Sequence, residues 1–161
     1  MDKIIDKTDY AILTCLKENA RMKASDIGKK INLSVSAIIE RIKKMESLGI
    51  IESYTITLNQ RLLGNDLIAL MDVSLEHPKY YDDFVEMVKN SENIQSCYYL
   101  TGKYDFMLKI LTDSSESLER IHRDIKSLEG VSATETHFVL KAIKHDIAAI
   151  PDFEDFGVRI K

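Results

Sequence analysis

"LSVSAIIERIKKMESLGII", residues 33–51, carries apolar side chains at helical spacing, stops at Gly49 and resumes with two isoleucines. Ser34 is a good helix N-cap and Gly49 a good terminator, so the spacing predicts a helix from Ser34 to about Leu48. Ile38, Ile42 and Met45, four and three apart, define its buried stripe. With that stripe inward, Ser36, Ala37, Glu40, Arg41 and Lys44 project outward or along the flank. Small residues early in a helix with basic ones further along suit the DNA major groove: serine meets any base edge and arginine pairs with guanine or phosphate. An ordinary solvated face carries charges too, so the surrounding chain has to separate the two readings.

Upstream, Asp6 to Asn19 reads as a helix in which Tyr10, Leu13, Cys15 and Leu16 form the apolar face, with Thr8 or Asp9 as the capping or acidic signal. Ala24 to Ile31 is a shorter helix with Ile27 and Ile31 on one face and Asn32 as its left-handed stop. Only Asn32-Leu33 joins it to the next helix, which is the layout of a helix-turn-helix. Downstream, Ile50 to Leu58 alternates apolar and polar positions and is rich in β-branched residues, which predicts a strand. Asn59 to Asp66, with Gly64 and Asn65, reads as the end of a linker.

Beyond the linker a strand-helix-strand unit occurs twice. Leu67–Leu75, Tyr80–Asn90 and Ile94–Thr101 form the first, with Phe84 and Val88 inward on the helix. Tyr104–Leu111, Ser115–Leu128 and Val131–Ala142 form the second, with Leu118, Ile121, Ile125 and Leu128 along the helix. Two such units joined at Gly102-Lys103 make a βαββαβ ferredoxin-like domain. The predicted class is therefore α+β: a helix-turn-helix domain at 1–50, a linker strand at 51–65, a ferredoxin-like domain at 66–145 and a tail at 146–161. The phenylalanines of that tail, Phe153 and Phe156, suggest packing on a neighbouring subunit.

At 161 residues, 45% hydrophobic and 30% charged, the chain fits one or two small globular domains. No apolar run is long enough to span a membrane and no secretion signal is legible, so the cytoplasm is the expected compartment. Residues 1–60 carry 10 Lys and Arg against 8 Asp and Glu, whereas residues 61–161 carry 12 against 18. An anionic partner would prefer the first half. Cys15 and Cys97 lie in apolar-periodic segments and read as reduced core thiols.

The second half lacks the marks of a catalyst. His77, His122, His137 and His145 show no HExxH spacing, and there is no GxSxG, CxxC or glycine-rich phosphate loop. No catalytic residue, metal or cofactor is expected. In "YYLTGKYDF", residues 98–106, Gly102 frees a turn and Asp105 stands where the next strand leaves it. A carboxylate beside free backbone amides could hold an amino acid at both its charged ends, although a plain hairpin turn accounts for the same residues.

Four stretches in order, "IDKTDYAILTCLKENAR" (5–21), "DIGKKINLSVSAIIERIKKMESLGIIESYTITLN" (26–59), "TGKYDFMLKI" (101–110) and "GVSATETHFVLK" (130–141), resemble the leucine-responsive regulatory protein/AsnC family of feast/famine transcription regulators. That resemblance implies a DNA-binding first domain and a second domain that binds small effectors and assembles dimers, octamers or other higher oligomers. Residues Ser34 to Ser47 become the recognition helix, with Ser34 among its DNA-binding residues, Ser36, Ala37, Glu40 and Arg41 at bases or the groove wall and Lys43 and Lys44 near phosphates. Lys23 stands where the family usually has a small capping residue, and Gly28 where it usually has alanine. Gly102 and Asp105 match the family's effector loop, Thr134 and Thr136 the polar positions of the last strand, and Tyr99, Thr101 and Tyr104 flank them. The implied partners are double-stranded DNA, a second copy of the chain, and a small effector, an amino acid first of all. The same resemblance extends to sirohaem decarboxylases, an enzymatic alternative for which Arg120, His122, Arg123 and His137 would have to converge on one cavity. A nonspecific DNA-organising protein is a third reading.

Overall fold

The computed structural model describes residues 5–151. The chain divides into two compact units: one takes the chain up to Thr57 and again from His145, the other is Leu58–Lys144.

Among its described residues the first unit holds three helices, α1 (Lys7–Glu18), α2 (Ala24–Ile31) and α3 (Val35–Ser47). A capping box starts α1: the Asp6 carboxylate accepts from the Asp9 N–H at 2.8 Å, and the Asp9 carboxylate accepts from the Asp6 N–H at 3.1 Å. The cap is therefore Asp6, earlier than the expected Thr8 or Asp9. The expected apolar face also shifts, because Ile12 and Cys15 are buried while Tyr10, Leu13 and Leu16 are only half-buried. Asn32 ends α2 with φ 59°, as its type suggested, and Lys23 starts α2 without a side-chain cap. The turn into α3 is tight: the Leu33 N–H donates to the Gly28 carbonyl at 2.9 Å. A Cβ on Gly28 would lie 2.6 Å from the Leu33 carbonyl oxygen, so this glycine serves the turn rather than weakening the helix to no purpose. Ser34 caps α3 by accepting from the Ala37 N–H, and Gly49 follows with φ 69°. Ile12, Cys15, Ile27, Ile38 and Met45 form the core, with Ile42 packed against it. Each fully buried isoleucine or methionine here contributes about 1.5–3 kcal/mol.

The strand expected over Ile50–Leu58 does not form. Ile50 and Ile51 both donate to the Met45 carbonyl, at 2.9 and 3.2 Å, and the rest runs on without a sheet partner among the described residues. Alternation and β-branching describe a chain suited to a sheet, but a strand exists only where a neighbour supplies the ladder hydrogen bonds. Tyr54, Ile56 and Leu58 are accordingly exposed. The linker contains one 3-10 turn, Arg61–Leu63.

The second unit is the ferredoxin-like domain: β1 (Leu67–Leu75), α4 (Tyr81–Asn90), β2 (Ile94–Tyr99), β3 (Phe106–Thr112), α5 (Ser115–Lys126) and β4 (Val131–Phe138). The sheet order is β2-β3-β1-β4, with every pair antiparallel. Ala69, Met71 and Val73 alternate inward from β1, as do Phe106, Leu108 and Ile110 from β3, against Phe84 and Val88 of α4 and Leu118 and Ile125 of α5. Among the described residues the other face carries no helix. β2 and β3 are shorter than expected where they approach each other, because residues 100–105 form a turn. β4 ends at Phe138, four residues before the expected limit. Cys15 and Cys97 are both free and lie in different units.

Past Lys144 the chain belongs to the first unit, where Asp146 pairs with Lys17 at 2.9 Å. Phe153 and Phe156, on which the expectation for the tail rested, lie outside the described residues.

Candidate functional site

The packing of α3 decides which of its side chains face solvent. Ile38 and Met45 are buried in the three-helix core at 0% and 1% exposure, which leaves Ser36, Glu40 and Lys43, spaced four and three, on the opposite side. Ser34, Lys43 and Lys44 are exposed and Ala37 is half-buried. The Ser34 and Ser36 hydroxyls lie 3.1 Å apart at the start of the helix. Among the described residues neither Glu40, Lys43 nor Lys44 has an ion-pair partner.

Arg41 departs from its expected place. Its guanidinium turns back onto the start of α1 and donates to Asp6 Oδ2 and Asp9 Oδ1, each at 2.7 Å. Asp9 is 1% exposed, so this pairing answers a carboxylate that the fold has taken out of water. Hydrogen bonds to Asp9 and then Asp6 hold the Arg41 proton more firmly than in free arginine. A side chain committed in this way positions α3 against α1 and does not project at a base edge. Conversely, Val35 and Ile39, which the sequence reading passed over, are 46% and 42% exposed on the margin of the outward face. Their four-residue spacing was the available signal.

In the ferredoxin-like unit, the loop after β2 is closed by the Leu100 N–H, which donates to the Asp105 carbonyl at 2.7 Å. Asp105 Oδ2 accepts from the Leu75 N–H at 2.7 Å, where β1 shifts register. Its other carboxylate oxygen has no partner among the described residues. Gly102 has φ 148° and open space on its Cα, and it is exposed together with Thr101 and Lys103. The Tyr104 hydroxyl donates to Glu135 at 2.6 Å, and that bond, against a small opposing effect of burial, pulls the Glu135 carboxyl below its usual range. Tyr99 packs edge-on against Tyr81 with ring centres 5.3 Å apart, and against Phe106 at 5.1 Å.

Thr134 and Thr136 do not join that loop. They pair with Val73 and Met71 and so share the helix-covered face of the sheet, whereas Glu135 pairs with Asp72 on the bare face. Thr134 Oγ1 lies 3.3 Å from His122 Nε2 of α5, and Thr136 Oγ1 is buried without a partner. The seven residues expected at an effector site are thus divided between the end of β2, the loop after it and the inner side of β4.

The enzymatic alternative finds no convergent cavity. Arg120 donates to Ser117, Arg123 pairs with Glu119 along α5, His122 meets Thr134 on the inner face, and His137 lies near Asp72 and Glu135 on the bare face. Among the described residues no three His, Cys, Asp or Glu side chains are grouped to hold a metal ion. No described helix is long and apolar enough to cross a membrane.

Two family descriptions match the two units: winged helix-turn-helix DNA-binding over residues 5–52, and Lrp/AsnC ligand binding domain over residues 68–149. An uncharacterised helix-turn-helix transcriptional regulator of Pyrococcus furiosus is 32% identical over 147 residues, covering 91% of this chain and 99% of its own. A leucine-responsive regulatory protein of Haemophilus influenzae is 30% identical over 146 residues, covering 89% and 88%. Among solved structures, a transcriptional regulator of Neisseria meningitidis in complex with L-methionine superimposes with a TM-score of 0.87 at 30% identity, over 91% of this chain and 96% of that one. Escherichia coli AsnC gives 0.82 at 27% identity, over 88% and 95%. With both units matched in order and relatives aligned over nearly their whole length, the chain belongs to the Lrp/AsnC family of helix-turn-helix transcriptional regulators.

Proposed function

We propose that this regulator binds specific DNA sites as a homodimer or a higher assembly of dimers, and that an amino acid alters its assembly or its affinity for DNA. The observation that carries the reading is the outward face of α3, where Ser36, Glu40 and Lys43 stand exposed with Lys44 on the flank, free of ion-pair partners among the described residues. Serine and carboxylate address base edges, and the two lysines address phosphates. A dimer would place two such helices in successive major grooves about one helical turn apart. The likeness to a regulator crystallised with L-methionine supports an amino-acid effector. So does Asp105, which spends one oxygen on Leu75 and keeps the other for an ammonium group. The effector would shift a population of assemblies by binding one of them more tightly.

The test is a titration of the full chain against the DNA upstream of its own gene at two salt concentrations, with nonspecific competitor and with each amino acid in turn. Site-preferring binding that weakens steeply with salt and responds to one amino acid is expected. Binding with a salt slope but no site preference would instead fit a DNA-organising protein. Asp105 separates holding the loop from holding the effector: Asp105→Asn keeps an acceptor for Leu75 but loses the charge. It should reduce the amino-acid response at least tenfold while the melting temperature stays near that of the parent, and an undiminished response would move the site elsewhere.

A further inference from the structure

We infer that Val35 and Ile39 read the 5-methyl groups of thymines, so that this chain selects its DNA sites through pyrimidine edges rather than through guanine. The inference rests on the DNA-binding reading above and gives it a base preference.

Val35 and Ile39 are four residues apart in α3 and remain 46% and 42% exposed, although Ile38 beside them is fully buried. They therefore form an apolar strip along the edge of the outward face, next to Ser36 and Glu40. These four side chains occupy the first half of α3, and a recognition helix addresses base edges mainly through its N-terminal residues. Lys43 and Lys44 follow a turn later, and their exposed cations suit the flanking phosphates.

The chemistry of these side chains selects among the bases. Guanine presents two acceptors in the major groove and calls for an arginine or lysine donor; the first half of α3 has no lysine, Lys43 and Lys44 standing in the second half. The only arginine of α3 is Arg41, and both Asp6 and Asp9 hold its guanidinium at 2.7 Å. What remains in the first half is two branched hydrocarbons, the half-buried methyl of Ala37, one carboxylate and one hydroxyl. Thymine alone offers an apolar group, its methyl, and cytosine offers an amino donor that Glu40 can accept from; Ser36 discriminates least. A carboxylate repels phosphate and is tolerated in the groove only where such a donor answers it. Taken together, the strip complements thymine and cytosine on one strand.

The test begins with the tightest duplex that the full chain selects from a randomised pool. That duplex is then remade with deoxyuridine replacing thymidine at one position after another, which removes the methyl and leaves the hydrogen-bonding pattern intact. One or two replacements in each half-site should weaken binding about fourfold apiece, the worth of one buried methyl group. The double variant Val35→Ala, Ile39→Ala should bind the thymine duplex more weakly than the parent does and be indifferent to those same replacements. This comparison also cancels any change in duplex stiffness. Both side chains lie outside the three-helix core, so the variant should keep the fold, which its melting curve checks against that of the parent. The inference is overturned if no replacement matters, if parent and variant lose equally from each replacement, or if the variant changes only the assembly state of the free protein. If no duplex is selected over competitor at low salt, the DNA-binding reading fails first and takes this inference with it. Selected sites in which guanine contacts dominate and uridine is silent would overturn the inference alone.

Discussion

Arg41 shows how one residue can look like a DNA contact and be a clamp. It stands on α3 with lysines two and three positions on, yet its guanidinium joins the α1 capping box at Asp6 and Asp9. Removing it would strand the Asp9 carboxylate, 1% exposed, so Arg41→Ala should cost about 2 kcal/mol or more in the first unit. Denaturant unfolding measures this loss, and a double-mutant cycle with Asp9→Asn should recover part of it. Unchanged stability with lost DNA binding would return Arg41 to the reading face. The same cluster sets an acid limit. Partial burial pushes the Asp6 carboxyl up, but the Asp9 N–H and then Arg41 outweigh it and hold the carboxyl below its ordinary 3.8. A depressed carboxylate adds stability that is complete above the unfolded value and lost as pH falls through the folded one. The stability difference between the parent and Asp6→Asn should therefore be full at neutral pH and shrink below about pH 4. A difference that persists unchanged at pH 2 would mean that the carboxylate charge is not what Arg41 answers.

At the scale of elements, the turns were the least legible parts. Gly28 reads as a helix defect in the sequence, and only the 2.6 Å approach of Leu33 reveals a backbone that leaves no room for a Cβ. Gly130, between α5 and β4, is the sharper case, with φ 86° and a Cβ position 2.1 Å from the Tyr80 ring. Gly130→Ala combines a left-handed backbone with a collision and should destabilise the second unit by about 2–3 kcal/mol, read as a drop in its unfolding midpoint. A drop of only a few tenths would mean that Tyr80 swings aside freely. The unformed strand at Ile50–Leu58 teaches a related lesson, since periodicity reports a chain's fitness for a sheet and not the presence of a partner. Within that segment the Tyr54 hydroxyl donates to Glu46 at 2.8 Å. Burial, then that carboxylate, push the phenol up to about 12. Tyr54→Phe should therefore remove one phenol that titrates at about 12 from a spectrophotometric titration of the folded protein, and an unchanged curve would assign that phenol elsewhere.

For the whole molecule, the two hydrophobic cores share no residue, one lying within the three helices and the other between sheet and helices. Phe106, 1% exposed in the second core, should cost about 3–5 kcal/mol as Phe106→Ala. Hydrogen exchange should show that loss in β1 and β3 while protection in α1–α3 is unchanged. A loss shared by both units would mean that they unfold as one. The covalent path itself crosses between the units twice, after Thr57 and after Lys144. The effector-domain chain thus returns to the helix-turn-helix unit, where Asp146 meets Lys17.

Apart from the unformed strand at Ile50–Leu58, the sequence by itself determined the order of elements and hence the α+β architecture. Caps and apolar periods act within a few residues, as Ser34, Asn32, Gly49 and the alternation of β1 demonstrate. It also placed α3 second in a helix-turn-helix and a glycine-containing turn at Gly102, between two strands. Tertiary structure alone decided which side chains of α3 face outward, because Arg41 finds its partners 32 and 35 residues away while Val35 and Ile39 stay 46% and 42% exposed. It likewise turned Thr134 and Thr136 inward, since the face of a strand is settled by pairing register, and register belongs to two strands at once.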